Sequence, residues 1–434
     1  MQPNLPQSRL LIPKTIKITP MKKSVLILLV LSALSAQVRL VAQEKSHIEY
    51  WNNGAVATEG KVNDKGIRTG AWKWYYDNGD VQIEGLYNDK GEKSGVWTYY
   101  YRGKNIQKTE VFSGSGEAVA YFPDGKLQYR YGVTDNGREG DFVEYFQNGK
   151  KKTEAFYKNN ELEGKAVWWY ENGNKDMEGT LQAGKRNGHW TYYYKSTGTK
   201  GSEGDYKNDK ESGRWIYYYE TGEKWREGEY DSGKRIGLWT TYYENGKIHH
   251  KGSYVAGLEE GVWESWSEKG NTLERGNFVA GKMNGKWETY YPDGICKTRC
   301  TYKDGVKHGT EILYDDNGDI LQKADYADGV LNGRWEKYLG GVLIEKGIHL
   351  NGKKDGLWTF YGANGAKQRE QNFRNGKPHG KWVEYYSADK KAAEGEYTDG
   401  VKSGTWKNYN RNGKVLSTTI FDNGKITKET ISDK

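Results

Sequence analysis

The chain has 434 residues, with hydrophobic residues at 35%, aromatic residues at 14%, seven prolines and two cysteines. So low a hydrophobic content, against roughly 45–50% in globular domains, excludes a thick aliphatic core, while the dense Tyr and Trp rings exclude the disorder that low hydrophobicity alone would imply. The net charge of +8 resides mostly in residues 1–42, which hold Arg9, Lys14, Lys17, Lys22, Lys23 and Arg39 and no acid, leaving 60 bases against 58 acids; such a balance excludes the basic surface on which nucleic-acid binding rests.

In chain order, Met21-Lys22-Lys23 and the apolar run Val25 to Ala36 have the basic head and short hydrophobic region of a secretory signal peptide. Ala42-Gln43 is the expected cleavage point, so residues 1–42 read as a leader, with Met21 as the expected start, and 43–434 as the mature chain. Arg39 interrupts the run before it reaches the ~20 residues of a membrane span. The expected location is therefore exported: periplasmic, on the outer surface, or secreted.

From His47 onward one phrase recurs about every 24 residues, as in Gly237-Leu238-Trp239-Thr240-Thr241-Tyr242-Tyr243-Glu244-Asn245-Gly246. The glycine that opens each phrase anchors fifteen full units, from Gly70 to Gly404, after a partial unit containing His47, Tyr50 and Trp51. Five residues after the anchor there is always a ring, and Tyr193, Tyr218, Tyr242, Trp266, Tyr290, Tyr314 and Tyr338 form the central stretch of this expected structural ladder. Two residues after it stands Trp in eleven units, with Ala118, Phe142, Ala166 and Glu311 in the rest.

Each unit reads as two strands. Dipeptides such as Asn245-Gly246 mark a hairpin turn needing positive φ, the second strand carries the phrase Glu227-Gly228-Glu229-Tyr230, and Gly-Lys phrases turn the chain again. Glycines such as Gly228 and Gly252 are expected to let a neighbouring ring lie flat on the backbone. The predicted fold is all-β: an elongated single-sheet antiparallel meander of about fifteen hairpins. Strict alternation puts the Trp slot and the invariant ring slot on opposite faces.

The order Glu-Gly-x-Tyr-x-x-Gly-Lys-x-x-Gly-x-Trp-x-x-Tyr-Tyr-x-x-Asn-Gly resembles the MORN repeat, most closely its bacterial variant form, often described as an antitoxin component. The resemblance covers residues 47–434 and implies a solenoid of β-hairpins that acts as an interaction module, with some members contacting membrane lipids. The export signal argues against a cytoplasmic antitoxin role.

No catalytic, cofactor or metal residues are expected. None of the seven histidines makes a His-Glu-x-x-His pair, and no Gly-Lys pair continues into the Ser or Thr of a phosphate loop. His349 occupies an aromatic core slot. Cys296 and Cys300 are too far apart along one strand for an internal disulfide; packed small residues and intermolecular pairing are the two readings. Lys425, Lys428 and Glu429 are the expected charged guard of the last strand.

Five residues after each hairpin glycine the slot is charged in blocks: Glu178, Glu203 and Glu227 are followed by Lys251, Arg275, Arg299, Lys323 and Lys346, then by Glu370 and Glu394. These five bases are the candidate partner-binding stripe, set against the alternative of a solvated row. An anionic protein, or the acidic block of a second copy, is the expected partner. The functional expectation is a non-enzymatic protein-binding module or scaffold of the bacterial envelope. Envelope glycan stacked on the aromatics is the second reading and an anionic membrane surface the third.

Overall fold

The computed structural model describes residues 44–387 and 389–432. The leader assigned to residues 1–42, with Met21 and the Ala42-Gln43 junction, lies outside the described residues. Among those described there are 34 strands and no helix, so none long and apolar enough to cross a membrane.

The chain folds as two compact units. One runs to Trp97 and takes in Arg102–Lys104; the other comprises Thr98–Tyr101 and everything from Asn105 onward. In the first, strands Lys45–Tyr50, Val56–Val62, Arg68–Tyr75 and Val81–Tyr87 pair antiparallel in sequence order. In the second, an antiparallel meander runs from Ile106–Val111 to Lys425–Ile431, with neighbours in sequence as neighbours in the sheet and its ends unjoined. It is an open sheet of hairpins, as the repeat predicts.

The strand Lys234–Tyr242 illustrates how one unit is built. Its anchor, Gly237, has φ 61°, a left-handed conformation that costs a side-chain-bearing residue energy. Pairing passes from Glu227↔Thr240 to Glu229↔Ile236, so Gly237, Leu238 and Trp239 together oppose the single Gly228. This bulge drops the Trp239 indole onto the backbone of Gly228: a Cβ there would lie 2.2 Å from the ring. The same seat holds Trp190 on Gly179 and Trp358 on Gly347. The indole N–H donates to a carbonyl of the preceding strand, as from Trp239 to Glu229 at 3.2 Å and from Trp190 to Thr180 at 3.1 Å.

One layer of sheet thus buries its own tryptophans. Tyr230 and Tyr254 stand edge-on to Trp239, with centroids 5.0 and 6.2 Å away, and the Arg235 guanidinium covers it at 4.8 Å. The lid position, four residues before the Trp, recurs as Lys354 over Trp358 at 3.8 Å and Lys402 over Trp406 at 4.3 Å; in the first unit Arg68 covers Trp72 at 4.5 Å.

The two turns differ in kind. At Asn245-Gly246, Tyr243 N–H bonds to the Lys247 carbonyl and positive φ falls on the glycine alone, while the Asn245 side chain accepts the Lys247 N–H at 3.0 Å. This is a three-residue loop closed by a glycine. At the Gly-Lys turns both central residues are left-handed, as in Ser232 (φ 52°) and Gly233 (φ 81°), the two-residue turn whose twist matches the strands. Gly233 N–H also donates back to the Glu211 carbonyl at 2.9 Å, tying each turn to the one before.

His349 fills its ring slot, 9% exposed, edge-on to Trp358 at 5.0 Å. Cys300 is buried opposite Trp287, in the place glycine takes in other units, and Cys296 is half-buried. The last strand, Lys425–Ile431, is exposed along its whole length.

Candidate functional site

The bulge settles which side chains share the second face. Trp239 lies against Gly228 and Tyr230, whereas the Tyr242 hydroxyl reaches the Glu227 carboxylate at 2.7 Å. The Trp slot and the invariant ring slot therefore face opposite ways. The charged slot and the invariant ring form one surface.

On that surface the five stripe bases do not stand alone. The residue after each Trp pairs with the slot on both neighbouring strands, and in the basic block it supplies acids: Lys251↔Glu264, Glu264↔Arg275, Arg275↔Glu288 and Glu288↔Arg299. Glu264 lies 3.5 Å from Lys251 and 3.4 Å from Arg275, and Glu288 lies 2.7 Å from Arg299. Ile312 breaks the alternation before Lys323, which faces Glu336 at 3.9 Å, and Lys346 stands opposite Glu336 on its other side. The row is a ladder of alternating sign in which bases outnumber acids by two, from Lys251 to Lys346. Half-exposed pairs of this kind contribute only about 0–1 kcal/mol each, so an incoming carboxylate can compete for the same cations.

The invariant rings are tied to this row. Tyr193, Tyr218 and Tyr242 each donate a hydroxyl hydrogen bond to a slot acid, Glu178, Glu203 and Glu227. Where the slot is basic the ring offers its face instead: Lys251 lies 5.1 Å over Trp266, and Lys323 lies 5.5 Å over Tyr338. Tyr290 and Tyr338 turn their hydroxyls to Glu288 and Glu336, and Tyr314 acts on Arg299 electrostatically. Slot charge and ring chemistry change together.

The electrostatics follow. Burial would raise the Glu227 carboxyl, but hydrogen bonds from Arg214, Tyr242 and Lys224 outweigh it and hold the group down at about 2. Burial and the bond to Glu227 push Tyr242 up to about 12. Arg299 and Tyr290 hold Glu288 below the usual carboxylate range against a smaller effect of burial.

A second tyrosine, next to the invariant ring, joins units directly. Tyr194 donates to the Tyr218 carbonyl at 2.7 Å, Tyr219 to that of Tyr242 and Tyr243 to that of Trp266, both at 2.8 Å. Its role was not evident in the sequence, although its recurrence beside the invariant ring was. The lid cations are likewise visible only when the repeats are laid over one another.

The family model described as MORN repeat variant matches residues 68–89, 138–159, 162–182, 211–232, 235–256, 283–304, 307–328, 354–375 and 402–423. No curated protein matches the chain. Among solved structures, "Crystal Structure of TcdB2-TccC3-TEV" is similar at 11% identity over 87% of this chain and 24% of that one, with a TM-score of 0.16. "Crystal Structure of TcdB2-TccC3-Cdc42" is similar at 10% identity over 87% and 23%, with a TM-score of 0.15. The chain spans about a quarter of the length of these solved chains.

Proposed function

The chain is a MORN repeat protein of the variant kind, and from that premise we propose that it is a non-enzymatic, exported scaffold of the bacterial envelope that binds a protein partner along its charged face. MORN repeats form repeat proteins that often bind protein or membrane. The leader motif of residues 21–42 supports export. The observation that carries the reading is the ladder from Lys251 to Arg299: Arg275 and Arg299 are about half exposed and held only by exchangeable pairs. A partner with carboxylates at strand spacing replaces those pairs one for one.

Reversing the bases alone would place like charges opposite Glu264 and Glu288 and so test folding as much as binding. The informative variant inverts the ladder while keeping every pair: Lys251→Glu, Glu264→Lys, Arg275→Glu, Glu288→Lys and Arg299→Glu. The native chain is expected to retain one dominant protein from envelope extracts, and the inverted chain, with an unchanged melting temperature, to lose it. Equal capture by both overturns the reading. Material released by soluble glycan, or salt-sensitive binding to anionic vesicles, would replace protein with sugar or membrane as the ligand. The glycan reading has lost part of its motive, since Trp190 and Trp358 expose 1% and 0% of their surface.

A further inference from the structure

Around Trp263 and Trp287 the aromatic face loses both its flanking rings and its lid cations. Two residues after the Trp stand rings in Tyr192 and Tyr217, which stack against Trp190 and Trp215, but the next three units have Thr241, Ser265 and Thr289 there. At the lid position, Arg235 is followed by Glu259 and Met283, and neither Trp263 nor Trp287 has a cation over its ring among the described residues. A cavity of about 340 Å³ opens here, lined by Trp263, Trp287, Phe278, His250, Ser265 and Glu274 among others.

The polar groups of this cavity are arranged differently from those of its neighbours. The Trp287 indole has turned over on Gly276 and donates its N–H to Glu274 Oε1 at 2.6 Å, where Trp263 and Trp239 donate to backbone. That bond holds the carboxylate between two indoles, with Phe278 edge-on to both at 5.8 and 5.2 Å. Glu274 forms no ion pair among the described residues. His250 stacks on Trp263, and burial holds its imidazole below the ordinary value, so it brings no charge at neutral pH. Arg226, which acts on His250, is engaged with the rings of Tyr217, Trp225 and Trp239.

At Trp72, Trp97, Trp239, Trp358 and Trp406 the indole face carries a Lys or Arg from the chain itself. We propose that the trench between Trp263 and Trp287 binds an external organic ammonium ion, which lies against the half-exposed Trp263, beside the buried Trp287, with Glu274 as its counter-ion. Rings with a carboxylate at one side suit an alkylated cation, whose charge is attracted to the ring faces. The site is on the face opposite the charged ladder and does not rest on the protein-binding reading.

The test is calorimetric titration of the full mature chain with tetramethylammonium and with butylammonium, and with tert-butyl alcohol as neutral isostere. Tetramethylammonium or butylammonium is expected to bind and the alcohol not; which binds more tightly separates alkylated from primary amines as the ligand class. Glu274→Gln should weaken binding about tenfold or more, the loss expected from removing a counter-ion. Met283→Arg supplies the lid that Arg235 provides over Trp239, and should abolish binding while the protein melts no lower than the native chain. Absence of any heat from either cation at tens of millimolar overturns the proposal. So does equal binding of the neutral alcohol, or cation binding unchanged in both variants.

Discussion

A glycine beneath a tryptophan is the smallest unit of this architecture. Trp358 on Gly347 and Trp97 on Gly85 are 0% and 1% exposed, whereas Trp335 opposite Ala324 and Trp382 opposite Gln371 are only half-buried. The difference is steric: a Cβ lifts the ring off the backbone and away from its edge-on neighbours. Gly228 has ordinary negative φ, so its replacement by alanine tests close approach without any change in backbone preference. Gly228→Ala should cost about 1–3 kcal/mol, the range for an overpacked site, read as a lower urea midpoint with an unchanged m-value and a rise in Trp239 exposure. A variant as stable as the native chain would show that the indole has room to move.

At the scale of the strand pair, the bond between slot acid and invariant tyrosine couples pairing to pH. The folded Glu227 carboxyl lies near 2, below the ~4.3 of an unfolded glutamate. Its contribution is therefore complete above the unfolded value and is lost as pH falls toward the folded one. Tyr242 works at the other limit: raised to about 12, it contributes below its unfolded value and that contribution is lost as pH rises through 12. Urea midpoints between pH 5 and pH 2 should fall more steeply in the native chain than in Glu227→Gln; parallel slopes would exclude the linkage.

How much of this was legible in the sequence depended on whether a property repeats. The hairpins, the anchor glycines and the opposite faces of Trp239 and Tyr242 follow from period and alternation, as does the glycine seat of indoles such as Trp239. The charged ladder was half visible: Lys251, Arg275 and Arg299 stood out as a block, but Glu264 and Glu288 belong to the other strand of the hairpin, and only the bulged register shows that they interleave. The sequence marks a hairpin turn at Asn245-Gly246, but the Tyr243–Lys247 closure that makes it a three-residue loop, and the extra residue His249 on the strand that leaves it, belong to the structure. The trench at Trp263 appears as nothing more than lost rings and a missing lid, a signal carried by departures from the repeat.

For the second unit as a whole, each strand draws its pairing from the strands beside it in sequence. A complete period can therefore be removed without altering any remaining interface, whereas half a period cannot. Deleting residues 237–260 joins two equivalent positions and should leave a melting temperature within about 5 °C of the parent. Deleting 237–248 places Gly228 beside Gly252 with no Trp between them, and should lower the transition far more by calorimetry; equal losses would mean that stability is not organised by period. The second tyrosines add a sense to this order. Tyr194, Tyr219 and Tyr243 donate to carbonyls 23 or 24 residues further along, always toward the C-terminus. A chain leaving the ribosome appears N-terminus first, so each donor hydroxyl emerges before the carbonyl that accepts from it. The links between units thus have a polarity: every donor precedes its acceptor, and each new strand pairs with the edge that came before it.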